Sequence, residues 1–159
     1  MDVTQYIEHW EGRRSIPYDD KTGIVVPAGG KALGTLTCGV GHTGPDVVAG
    51  AGWTDDRIDM TFAADIVVAA THAKFELGQD YWAALDEIRR AALIDMAFEM
   101  GGGGLHHFPR MLAAIRGKMF ETAAFQCGNR DPLPTGGVFT RMEANATILR
   151  TGQWPNLEL

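Results

Sequence analysis

Residues 85–101 read LDEIRRAALIDMAFEMG, and their reading decides the fold class. Asp86 can cap a helix that starts at Glu87, apolar residues dominate it nearly throughout, and the glycines of 101–104 end it. A helix with so little polar face is expected to be buried. The pattern stays helical beyond it. Pro109 can open a short helix, and weaker helical periodicities occupy 119–127 and roughly 138–150, with Gly152 as the stop.

Working outward in the other direction, Thr54 can cap a long helix whose first turn carries Asp55 and Asp56, favourable near its positive end. Its apolar positions continue through Phe62, Ile66, Val67 and Ala70, which carries it to about Glu76. From Arg13 to about Gly52 the signals change to Pro, Gly and β-branched residues, with short apolar runs at 24–26 and 35–40. That composition predicts a small twisted hairpin sheet holding all the strands. At the start of the chain Val3, Ile7 and Trp10 recur at helical spacing behind a possible Asp2 cap, so 3–11 reads as a short helix with Glu11 at its end. The fold class is therefore α+β. A small N-terminal lobe with a short antiparallel β-sheet (about 12–53) is joined by a long helix (about 54–76) to an all-helical C-terminal lobe (about 80–159) that also takes in helix 3–11. A cleft can form between two such lobes.

Composition narrows the function classes. The 159 residues are 45% hydrophobic, enough for one well-packed domain, and no apolar run approaches the roughly 20 residues that span a bilayer. The opening MDVTQYIEHWEG has neither the basic nor the apolar region of a signal peptide, so synthesis in the cytoplasm without membrane insertion is expected. A net charge of -6 with no basic cluster argues against nucleic acid and anionic lipid as partners. Cys38 and Cys127 match no metal spacing and are expected to be free thiols. The adjacent His106 and His107 lack the spacing of a metal pair, and the GGKALG stretch lacks the residues of a phosphate loop. No metal or cofactor is expected. Asn145-Ala-Thr is formally a sequon, expected to stay unmodified without secretion.

The chemistry gathers in the small lobe. TLTCGVGHTG at 35–44 collects threonines and one histidine around Gly39 and Gly41, a pattern suited to the wall of a site, where glycines admit close approach and hydroxyls supply donors without charge. Glu11, ending a helix, and Asp20, in the first turn of a hairpin, can point into the same cleft and divide acid and base work if their environments differ. In an acidic chain the same spacing also arises from two solvated surface acids.

E11-G-x5-Y18-x-D20 followed by T37-x-G-V-G-H-T resembles the active-site segment of the phage-type lysozymes, glycoside hydrolase family 24. LDEIRRAALIDMAFEMG at 85–101 resembles that family's buried helix, and RTGQW at 150–154 its C-terminal segment, so three separated pieces follow the family's order. The resemblance implies a lysozyme-like fold and assigns roles. Glu11 matches the glutamate that protonates the glycosidic oxygen, and Asp20 and Thr37 match the pair that holds the attacking water. Thr43, Phe98 and Gln126 match glycan-contacting positions, Phe98 being equally suited to plain core. Arg141 matches an arginine that reaches the catalytic glutamate, or else is a solvated helix arginine. His42 is expected to be structural, paired with Asp65.

Three departures stand out. The family's connection between aspartate and threonine is shorter, whereas here 21–36 intervenes, and a change of register would present Asp19 in place of Asp20. Glu99 stands where a relative carries glutamine. That relative is basic and this chain acidic, which would weaken attraction to an anionic cell wall. What the resemblance implies is a monomeric endolysin that cleaves peptidoglycan glycan strands, made in the host cytoplasm and reaching the periplasmic wall with a holin-type release partner. The rivals are a non-catalytic peptidoglycan-binding module and a lytic transglycosylase that uses Glu11 alone.

Overall fold

A computed structural model describes residues 1–128 and 137–157. The chain is α+β, a small antiparallel sheet near the N-terminus followed by helices, and it resolves into two compact units. One comprises Ile7–Ile66; the other comprises Met1–Tyr6 and Val67–Leu159.

In Ile7–Ile66, helix α1 (Val3–Glu11) ends where Gly12 adopts φ 71° and returns its N–H to the Glu8 carbonyl at 2.9 Å. Strands β1 (Arg14–Asp19), β2 (Leu36–Gly39) and β3 (His42–Thr43) form one sheet in that order, all antiparallel. The register sets Tyr18 opposite Thr37 and Thr37 opposite Thr43, so Thr37 sits in the middle strand between two neighbours. The apolar run at 24–26 is not a strand of its own: Val25 makes a single bridge to Tyr18, because the turns at Gly23 and Gly29, both with positive φ, leave too little extended chain. Cys38, Val40, Trp53, Ile58 and Phe62 are buried here. Helix α2 (Asp55–Leu77) starts as its sequence predicts, with the Thr54 hydroxyl accepting the Arg57 N–H at 3.3 Å.

The other unit is helical. Helix α3 (Gln79–Ala84) follows Gly78, α4 (Glu87–Met100) is capped by Asp86 through the Arg89 N–H at 2.9 Å, and a 3-10 turn spans Gly104–His107. Then come α5 (Pro109–Arg116), α6 (Phe120–Gly128) and α7 (Gly137–Thr151). Seven consecutive residues of α4, Ala91–Ala97, are buried, which is the burial its composition predicts. Leu93, Met96, Met111, Ile148 and Leu149 are almost wholly removed from water, each Leu or Met side chain contributing roughly 1.5–3 kcal/mol of transfer free energy. Arg89 joins α4 to the end of α7: its Nε donates to the Leu149 carbonyl at 2.7 Å and its Nη2 to that of Arg150 at 3.1 Å. Among the described residues no helix is long and apolar enough to cross a membrane.

Candidate active site

Glu11 owes its position to the last turn of α1 and to a glycine. Gly41, between β2 and β3, has φ +68°, and a Cβ added there would lie 2.9 Å from Glu11 Oε2 and 3.2 Å from its Cδ. The Glu11 carboxyl thus occupies the space a side chain would need. Gly39 shares φ +68°, but a Cβ there would only touch Trp53 and Ile58 at 3.4–3.6 Å, so its backbone conformation rather than space calls for glycine. The glycines of 35–44, expected to admit a ligand, are filled on these sides by the protein's own groups.

The three residues matched to catalysis all belong to Ile7–Ile66. Thr37 is 3% exposed, and its hydroxyl donates to the Thr35 carbonyl at 3.2 Å. Burial raises the Tyr18 pKa first, Arg14 over the ring at 4.3 Å opposes this, and the charges of Glu11 and Asp20 add to the rise. The adjacent acids Asp19 and Asp20 part company. Asp19 is 4% exposed and accepts the backbone N–H groups of Lys21, Leu33 and Gly34 at 2.9–3.0 Å, with that of Leu33 foremost in holding its carboxyl below the usual range. Asp20 is exposed, one oxygen accepting the Thr35 N–H at 2.6 Å. Thr43, the remaining matched residue of this unit, is exposed on β3.

His42 ties β3 to α2. Its Nδ1 lies 2.7 Å from Asp65 Oδ2 and its Nε2 3.1 Å from Asp46 Oδ1, the pairing with Asp65 that the resemblance implies. Asp46 in turn accepts from Arg57, which stacks over Trp53 at 4.0 Å. Burial of the imidazole disfavours its cation, but the bonds to Asp65 and Asp46 outweigh that and raise the pKa above 6.5. Folding therefore favours proton uptake at His42, so this contribution is complete below the unfolded pKa and disappears as pH rises through the folded one. Asp46, held below 3.8 chiefly by His42, contributes above its unfolded pKa and loses that as pH falls through its folded value. Urea midpoints measured upward from pH 6 should fall more steeply for the wild type than for His42→Gln; parallel profiles would show that the cluster carries no linked charge.

The other matched residues lie in the helical unit. Phe98 and Glu99 sit half-buried at the end of α4, and Gln126 is half-buried on α6. Arg141 is 6% exposed on α7, not a solvated arginine. Its Nη2 lies 2.8 Å from Asp95 Oδ1, its Nε 3.1 and 3.2 Å from the two Asp95 oxygens, and 3.7 Å from Glu99 Oε2. Asn145 Nδ2 donates to Asp95 at 2.6 Å and its Oδ1 accepts from the Tyr6 hydroxyl at 3.0 Å. Asp95 and Asn145, both 0% exposed, escaped sequence reasoning as members of the network that holds Arg141; one apolar-helix aspartate four residues before Glu99 was the available signal. The sequon asparagine is thus a core residue. Cys38 and Cys127 are both buried free thiols, and burial is the leading cause of a Cys127 pKa of about 12.

A search of curated proteins finds no match to the chain. The sequence model described as Phage lysozyme matches residues 8–131, well over half of the chain, and spans Glu11, Asp20, Thr37, Phe98, Glu99 and Gln126. The chain belongs to the phage lysozyme family, whose members are lysozymes that hydrolyse peptidoglycan.

Proposed function

We propose that this chain is an endolysin-type muramidase that hydrolyses the β-1,4 bond between N-acetylmuramic acid and N-acetylglucosamine, with Glu11 as general acid and Asp20 and Thr37 orienting the attacking water. The observation that carries this reading is the Glu11 carboxyl seated against Gly41 within the same compact unit that holds Asp20 and Thr37. Asp20 rather than Asp19 takes the water, because the Asp19 carboxylate is committed to three backbone N–H groups while Asp20 is exposed. Thr43, Phe98, Glu99, Gln126 and Arg141 contact the glycan, Arg141 being held by Asp95 and lying 3.7 Å from Glu99. The division into a β-containing lobe, a connecting helix and a helical lobe is the matching domain reading. On the same reading the protein is a monomer made in the host cytoplasm, and a holin-type partner gives it access to the periplasmic wall.

A water attacking from the face opposite Glu11 displaces the leaving group in one step and inverts the anomeric centre. Proton NMR of the first products from purified peptidoglycan should therefore show the α-anomer. The β-anomer first would mean a retaining route, and an anhydro end with no new reducing group would mean a transglycosylase. Binding without any cleavage would support the non-catalytic module instead.

A further inference from the structure

The 21–36 segment is a built loop with an exposed apolar face and free positive charge. Asp19 closes its base, accepting the N–H groups of Lys21 and Gly34 at 3.0 Å each on Oδ1 and that of Leu33 at 2.9 Å on Oδ2. Gly34 has to be glycine for this closure, since a Cβ there would collide with the Asp20 carboxylate and lie 2.8 Å from the Lys21 Cβ. The first half of the loop is fixed by the Val26 N–H on the Pro17 carbonyl at 3.0 Å and by the Gly50 N–H on the Val26 carbonyl at 2.9 Å. A loop anchored at so many points could readily have turned its apolar side chains inward. It does so only with Val26, which is 5% exposed: Ile24 is 67% exposed, Val25 50% and Leu33 79%.

Those three residues, with Pro27 and Lys31, line a groove of about 260 Å³. Asp19 also lines it, but its carboxylate is taken up by the loop backbone. Lys21 and Lys31 are the two lysines of Ile7–Ile66, and among the described residues neither forms an ion pair. In a chain of net charge -6, this loop offers the exposed ammonium groups of Lys21 and Lys31, neither in an ion pair among the described residues, beside an apolar floor. Such a combination suits a short peptide carrying methyl side chains and carboxylates. Exposed single apolar residues are ordinary, but a clustered set on a fixed loop points to an occupant.

We propose that the 21–36 loop recognises the acidic stem peptide carried by the muramic acid residues of peptidoglycan, its alanine methyls against Ile24, Val25 and Leu33 and its carboxylates toward Lys31 and Lys21. The assignment rests on the muramidase reading, because the loop starts one residue after Asp20 and the peptide hangs from the sugar at the bond to be cleaved. It makes this insertion a specificity element for peptide-bearing over bare glycan.

The test compares kcat/KM on intact peptidoglycan with kcat/KM on glycan strands stripped of peptide by an amidase. For Lys31→Glu and for Leu33→Ser, two exposed positions, the ratio of intact to stripped should fall roughly tenfold relative to wild type, mainly through KM, the factor that about 1.4 kcal/mol represents. An unchanged ratio, including equal losses on both substrates, would overturn the proposal. Should the wild type cleave neither substrate, the muramidase reading fails, and the loop is judged on binding alone. Calorimetry with a soluble disaccharide-tetrapeptide should then show an affinity that Lys31→Glu weakens by the same factor. Binding to phosphatidylglycerol vesicles with no affinity for the disaccharide-tetrapeptide would make the face a lipid contact and sink the peptide assignment.

Discussion

Glu11→Gln should lower the rate of clearing of purified peptidoglycan by at least 10²–10⁴-fold, the contribution typical of general acid catalysis alone. That factor corresponds to about 2.7–5.4 kcal/mol of barrier. Glutamine is chosen because it keeps the shape that fills the open side of Gly41 and removes only the ability to deliver a proton. Aspartate would instead retract the carboxyl from its seat and confound position with chemistry. Circular dichroism must show the variant folded, so that lost clearing is lost chemistry. Clearing within a factor of a few of wild type would remove Glu11 as the acid, and with it the reading that makes Asp20 and Thr37 its partners. The same variant supplies an inactive protein for measuring binding to intact cell wall.

What was legible in the sequence follows from how local each signal is. Asp86, Thr54, Pro109 and the glycines at 101 and 152 act within one turn of a helix end, and each stands where α4, α2, α5 and α7 begin or end. Helix α3 gives no such signal. It has six residues, no side-chain cap and no buried residue, so neither capping nor periodicity marks it. The run at 24–26 reads as a strand by composition alone, yet its flanking turns allow only one bridge. At the site, the Y-x-D spacing selects Asp20 by resemblance, but the physical difference from Asp19 lies in three N–H groups, two of them donated from residues 33 and 34. Sequence patterns cannot show contacts made across so many positions. Gly41 is a similar case: its presence suggests a close approach, while the group that approaches, Glu11, is thirty positions away in the chain.

Asp95→Ala should destabilise the protein by about 3–5 kcal/mol, the range for removing one partner of a buried ion pair. Asp95 is 0% exposed on α4, and three groups depend on its two oxygens: Arg141 Nη2 at 2.8 Å, Arg141 Nε at 3.1–3.2 Å and Asn145 Nδ2 at 2.6 Å. Truncation leaves a nearly buried guanidinium and a buried amide donor without that acceptor, and it opens a cavity beside them. Glu99, 3.7 Å from Arg141 Nε, can recover part of the charge interaction, which favours the lower half of the range. For a chain of this length the loss corresponds to a fall in Tm of roughly 6–20 °C. Tyr6→Phe provides the comparison, since it deletes only the hydroxyl that donates to Asn145 at 3.0 Å, and should cost about 1 kcal/mol. The two variants separate a charge network from an ordinary hydrogen-bond chain. If Asp95→Ala costs no more than Tyr6→Phe in urea unfolding, the desolvation of Asp95 cancels its pairing, and Arg141 must be held in place by packing on α7 rather than by the carboxylate.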